Sequence, residues 1–306
     1  MPGRYLRYPP HPEPRPFSGI HPPGGLKVAS GLSETFLLET TTSRTRTILK
    51  TERGILVEDP VIEAGDYLET GTKITFLPDR EKNLGRWPGS TESENLAFTD
   101  YLRPRILVRM HQWAALNPGL TLVLEDRRKG FPHFEQIRYP DGLLSYLRNL
   151  NQTEEILSPT LYFEHKHPQF SLSVAIEFSE SLRTRIISFA NGEHTIEGGP
   201  HVTGVVAGLL SAYRQRSKGR HKFLKSEDVL PGISAVVAIE LQRPKFTSAA
   251  HIRLVNEVHA DVRRVTQRNI ARFFRENPKI ADTLVSNITS AFQRRYRSHD
   301  KSPFGL

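Results

Sequence analysis

The sequence predicts an α+β fold laid out in two strand-rich regions, with helices after each. Three observations carry that expectation. Short β-branched and aromatic runs bounded by Gly, Pro or Asn recur along the chain. Apolar residues at helical spacing form separate stretches near 104–116, 201–215 and beyond 253. The 306 residues suffice for two ordinary domains.

Residues 1–25 hold eight prolines and almost no apolar periodicity, so they are expected to form a disordered, Pro-rich tail. Strands are expected at 35–40 and 46–50, closed by Gly54. A third runs from Lys73 to Phe76, launched by Thr70-Gly71-Thr72. Pro104 can open a helix, because its missing N–H falls among the orphan donors of a first turn. Ile106, Leu107, Met110, Trp113 and Ala114 give that helix an apolar face, and Asn117-Pro118-Gly119 stops it. Strands at 120–125 and 133–138 and a helix near 141–149 end a first region, taken as 26–150. A second, 155–298, begins with strands at 160–165, 171–178 and 184–190, followed by a helix at about 201–215. Arg214, Arg216, Lys218, Arg220 and Lys222 then alternate in what reads as a mobile loop. A strand at 233–241 precedes two helices divided at Asn277-Pro278, the first expected from Arg253, and 299–306 form a tail.

The composition narrows the function classes. With no cysteine, a disulfide framework or a thiolate metal site is excluded. No apolar stretch approaches membrane-spanning length and the N-terminus has no signal-like core, so a cytoplasmic protein without membrane partners is expected. The net charge is +9, unevenly placed: residues 1–210 balance to −2, residues 211–306 to +11. A positive field confined to one region favours a polyanion such as nucleic acid.

Two longer words stand in the second region. One is Ile187-Ser188-Phe189-Ala190-Asn191-Gly192-Glu193-His194-Thr195-Ile196-Glu197-Gly198-Gly199-Pro200-His201. The other is Gly232 to Ile239 followed by Pro244-Lys245-Phe246. Glu52-Arg53-Gly54, Thr70-Gly71-Thr72 with Phe76, Leu116-Asn117-Pro118-Gly119-Leu120 and Ser226-Glu227-Asp228-Val229 accompany them in order. Together they resemble the DNA gyrase B and topoisomerase IV B family from about Gly25 to Tyr296. The resemblance implies a partial GHKL-type ATPase domain, then a transducer domain with a left-handed βαβ crossover and two C-terminal helices. Its implied cofactors are ATP and magnesium. Its implied partners are double-stranded DNA, a second copy of the chain and the topoisomerase A-subunit.

The same resemblance points to departures. In the family's glycine-rich phosphate lid, Gly19 and Gly25 match, but Pro22 and Pro23 replace residues with amide hydrogens, and a proline cannot donate to phosphate. Thr72 matches the adenine-side threonine. After Pro-Lys-Phe the family's Gln-Thr-Lys becomes Ala249-Ala250-His251, so a fixed ammonium gives way to an imidazole. No positioned catalytic base or metal ligand is found. This chain alone is therefore expected neither to hydrolyse ATP nor to cleave DNA, with Gly19, Gly25, Thr72 and His251 as its remaining nucleotide-binding candidates.

Arg264, Arg268, Arg272 and Arg275 recur at steps of four, four and three, on one helical face. With Arg214, Arg216, Lys218 and Arg220 they are the DNA-binding candidates. Val206 stands where gyrase has an arginine facing its DNA cavity. Three readings stay open: the ATPase–transducer portion of a type II topoisomerase; a non-enzymatic module binding DNA or a topoisomerase, as degenerate paralogue, inhibitor or decoy; or another GHKL relative such as a mismatch-repair ATPase. The last shares the two-domain plan but does not account for Glu197-Gly198-Gly199-Pro200-His201 and Pro244-Lys245-Phe246.

Overall fold

The computed structural model describes residues 24–79, 103–128, 132–181, 183–218 and 224–299, with side chains to 290. The chain divides into two compact units: residues 1–114 with 119–138, and 115–118 with 139–306.

In the first unit, helix α1 (Gly24–Gly31) leads into strands β1 (Ser33–Thr41) and β2 (Thr45–Glu52). These pair antiparallel, with Leu38 opposite Leu49. The short strands β3 (Ile55–Leu56) and β4 (Val61–Ala64) both lie on the outer edge of β2, while β5 (Gly71–Pro78) pairs with β1. The sheet alternates as a half-buried sheet should: Phe36, Leu38, Leu49, Ile74 and Phe76 share one face by register. Phe36 is buried, yet Ile74 and Phe76 stay 38% and 43% exposed. Helix α2 (Arg103–Leu116) is followed by a hairpin of β6 (Thr121–Asp126) and β7 (His133–Arg138). His111 on α2 and His133 on β7 both face Glu135, at 3.6 and 3.0 Å, which ties helix to hairpin.

The second unit holds helix α3 (Leu143–Leu150), strands β8 (Leu161–His167), β9 (Phe170–Phe178), β10 (Arg185–Ala190) and β11 (Glu193–His194), and helix α4 (Pro200–Arg216). A 3₁₀ turn at Ser226–Val229, strand β12 (Ile233–Leu241) and helices α5 (His259–Glu276) and α6 (Pro278–His299) complete it. The sheet order is β11-β10-β12-β9-β8, and only β10 and β12 run parallel. That parallel pair requires a crossover, and α4 supplies it. Asn191 and Gly192, both at positive φ, form the two-residue turn between β10 and β11.

β12 has strands on both sides and is buried on both faces. Ile233, Ala235, Val237 and Ile239 join one apolar core with α4, α5 and α6, and Val236 on the opposite face is also fully buried. Gly204 and Gly208 let α4 and α5 approach at backbone distance. A Cβ on Gly208 would lie 2.6 Å from Thr266 Cβ and 2.7 Å from Arg263 O.

Several expectations change. Arg214 and Arg216 form the last turn of α4 rather than a loop, because the apolar stripe of the helix continues through Ala212 and Tyr213. The first closing helix begins at His259, six residues after Arg253. Residues 253–255 instead return along 245–247, with Thr247 N donating to Arg253 O and Val255 N to Lys245 O. The helix near 141–149 is α3, which groups with the second unit through contacts on β9 and β12. β3, β4 and β11, of two to four residues, are too short for a periodicity signal.

Candidate functional site

The nucleotide-side candidates fall in different parts of the chain. Thr72 is exposed on β5, opposite Thr40 on β1. Beside it lies a cleft of about 470 Å³ lined by Glu39, Arg46 and the segment from Asp66 to Lys73. Its chemistry is set by Glu39, which accepts Lys73 Nζ at 2.7 Å and Arg46 Nη2 at 2.7 Å. Those hydrogen bonds, Lys73 first, hold the Glu39 carboxyl below the usual carboxylate range against the opposing effect of burial. Two cations are thus engaged by one carboxylate, and Asp66 and Glu69 add further negative charge to the lining. Sequence reasoning missed the cluster. Its signal was cross-strand register: Lys73 sits directly opposite Glu39, and Arg46 is diagonal to it.

Gly25 lies in the first turn of α1, where backbone N–H groups have no carbonyl partner within the helix. Gly19, Pro22, Pro23 and Arg220 lie outside the described residues. His251, in the second unit, adopts φ 54° and donates its N–H to Ser248 O at 3.1 Å. Its ring stacks on Phe246, centroids 4.2 Å apart. Asn256 braces the same loop, accepting from Lys245 N at 2.7 Å and donating to Arg243 O at 3.0 Å. Among the described residues no three His, Asp or Glu side chains are arranged to hold a metal ion.

The word from Ile187 to His201 is a structural junction. Ser188 donates to Thr195 O at 2.9 Å, and Thr195 Oγ1 lies 3.3 Å from His201 Nε2. His201 is fully buried, its Nδ1 without a hydrogen-bond partner, and burial lowers its pKa to about 4. Asn191 donates to Leu241 O at 2.8 Å and accepts from Leu241 N at 3.0 Å, fastening the turn to the end of β12.

On α5 the buried side chains are Val262, Val265, Thr266, Ile270, Phe273 and Phe274. Arg264, Arg268, Arg272 and Arg275 are all exposed on the other face. Arg264 has a loose contact with Asp261 at 3.5 Å, Arg272 donates to Asn269 at 3.2 Å, and Arg268 and Arg275 have no ion pair among the described residues. At 1.5 Å per residue the ridge is about 16 Å long. The earlier basic residues are placed differently. Arg214 donates to Leu224 O, Arg216 is held by Asp282 at 2.7 Å, and Lys218 is exposed just past the helix. Val206 is partly buried against the core.

Comparison with known proteins places this architecture. It matches the 43K ATPase domain of Thermus thermophilus gyrase B, solved with an aminocoumarin, at a TM-score of 0.70 and 23% identity. That match covers 97% of this chain and 80% of the other. The topoisomerase IV ATP-binding domain of Francisella tularensis matches at 0.68 and 20%, over 91% of this chain and 75% of that one. The fold is therefore that of the ATPase region of gyrase B and its topoisomerase IV counterpart. The DNA gyrase B family model matches residues 142–302, more than half the chain. The DNA gyrase B protein of Enterococcus faecalis is 31% identical over 76% of this chain and 36% of its own length. For that of Clostridium acetobutylicum the figures are 30%, 90% and 42%. The chain belongs to the DNA gyrase B family, and it spans about two fifths or less of these relatives. No helix among the described residues is long and apolar enough to cross a membrane.

Proposed function

We propose that this chain serves as the ATPase–transducer portion of a gyrase-type DNA topoisomerase, grips duplex DNA through the arginine ridge of α5, and does not turn over ATP by itself. The observation that carries the DNA reading is the ridge: four exposed guanidiniums on one face, three of them without an ion pair among the described residues. Arginine suits phosphate, and contacts along a backbone position a duplex without reading its bases. Arg214 and Arg216 contribute less, since each is already engaged within the unit. ATP and magnesium are the family's cofactors, but the cleft beside Thr72 is acidic on balance. Its most enclosed carboxylate, Glu39, is held ionised by two cations, and a base with a lowered pKa is a weak proton acceptor.

Titration of a fluorescent duplex at several salt concentrations tests the ridge. With four phosphates neutralised, log affinity against log salt is expected to slope at about −3.6, easing by about 0.9 for each arginine replaced by alanine. A flat dependence, or a slope unchanged in Arg268→Ala/Arg272→Ala, removes the DNA reading. Calorimetry with a non-hydrolysable ATP analogue and magnesium tests the other half. Micromolar binding together with magnesium-dependent hydrolysis by the purified chain would overturn it.

A further inference from the structure

We propose a second docking surface, formed by β3, β4 and the segment joining β4 to β5, whose occupant is the arginine ridge of another copy of this chain. Residues 52–66 are exposed without a break. Within and just beyond them Ile55, Leu56, Val57, Val61, Ile62 and Leu68 all show large apolar surface, Ile55 at 73% and Ile62 at 69%. By register Ile55, Val61 and Glu63 lie on one face of the sheet and Leu56 and Ile62 on the other. The exposed apolar pair Ile55 and Val61 beside a carboxylate marks an interaction site on the first face. It has a charge signature of its own. Between Gly54 and Thr72 there are five acidic residues, Glu58, Asp59, Glu63, Asp66 and Glu69, and no lysine or arginine. Glu58, Asp59 and Asp66 have no ion pair among the described residues, and Glu63 has only a loose one, 3.8 Å from Arg46.

The partner must therefore be cationic and must bring apolar surface to Ile55 and Val61, which share a face with Glu63. The carboxylates would repel nucleic acid and an anionic bilayer alike. Arginine meets both demands, because its methylene stem covers apolar surface while its head reaches a carboxylate. The largest described concentration of such side chains is the α5 ridge, in the third of the chain whose balance is +11. Four ridge arginines face five carboxylates, so the two surfaces of this one sequence are complementary. Unlike surfaces meet in this contact, so symmetry does not limit association to two copies. The inference rests on the ridge being a polyanion-binding surface, and it adds a regulatory consequence. Duplex DNA and the acidic surface of a neighbouring copy compete for the same arginines, so DNA disperses the assembly.

Sedimentation velocity on the full chain, with and without a short duplex, tests this. In about 20 mM salt, where charges act over tens of ångströms, the weight-average mass should rise with protein concentration; in about 0.5 M it should return to one copy. Glu58→Lys/Asp59→Lys, in the exposed connection between β3 and β4, should abolish the low-salt species while leaving duplex binding intact. Arg268→Glu/Arg272→Glu should abolish both. Mixing the two variants should restore association, because the intact ridge of one meets the intact acidic surface of the other. A wild-type chain that stays monomeric at low salt, or association unchanged by the Glu58/Asp59 pair, overturns the proposal and leaves the DNA reading standing. Loss of duplex binding in the ridge variant with association unaffected overturns it equally.

Discussion

β12 in the second unit has a paired strand on each side and a covered surface above and below, whereas β5 in the first has one neighbour and none of its eight residues is buried. The difference is one of completeness. The second unit buries Phe170, Leu172, Val174, Ile239, Leu254 and Ile270 almost fully, in one core shared by sheet and helices. In the first unit the sheet has a single fully covered aromatic, Phe36, while Ile74, Phe76 and Ile62 remain open. Apolar side chains stabilise a fold only by the area they remove from water. The same residue type should therefore matter greatly in one sheet and little in the other.

The strongest test of that contrast is Ile239→Ala. Ile239 is 1% exposed in β12, so its loss leaves a cavity with little room to relax. The expected cost is about 3 kcal/mol, read as an earlier urea midpoint with an unchanged slope. A cost under about 1 kcal/mol would mean that the core is looser than its burial implies.

His201 provides the next largest effect, again confined to the closed unit. Burial depresses its folded-state pKa to about 4, so the folded state binds fewer protons than the unfolded chain. Its contribution is present above the unfolded histidine value of about 6.5 and is lost as pH falls toward about 4, on the order of 3 kcal/mol in all. The imidazole should show no NMR titration between pH 7 and 5, and the acid limb of the stability curve should flatten in His201→Leu. An imidazole that titrates near 6.5 in the folded protein contradicts this.

How far the sequence displayed these features follows from their range. Local signals were read well: the Pro104 and Asn277-Pro278 helix boundaries, the Asn191-Gly192 turn and the β-branched run of β12 each lie within a few residues. The α5 ridge was legible because helical spacing alone fixes which side chains share a face. Contacts set by register or by distant partners were not. Glu39 with Lys73 needs the β1–β5 pairing, and the return of residues 253–255 along 245–247 needs backbone hydrogen bonds that have no periodicity. Arg214 and Arg216 looked like free charges because their partners, Leu224 and Asp282, lie 10 and 66 residues away. The acidic and apolar composition of 54–72 was visible from the start, but its meaning depended on exposure, which only the fold supplies.

The smallest expected effect belongs to Ile62→Ala, the counterpart of Ile239→Ala on the open sheet. Ile62 is 69% exposed on β4, opposite Thr47, so truncation removes little buried area and opens no cavity. Stability should change by less than about 0.5 kcal/mol, measured against Ile239→Ala under identical conditions. Self-association at low salt should hold, since by register Ile62 lies on the face of the sheet opposite Ile55 and Val61. A stability loss approaching that of Ile239→Ala would show that β4 is covered in solution, and the contrast between the two sheets would then lie in what covers the first one rather than in how it is built.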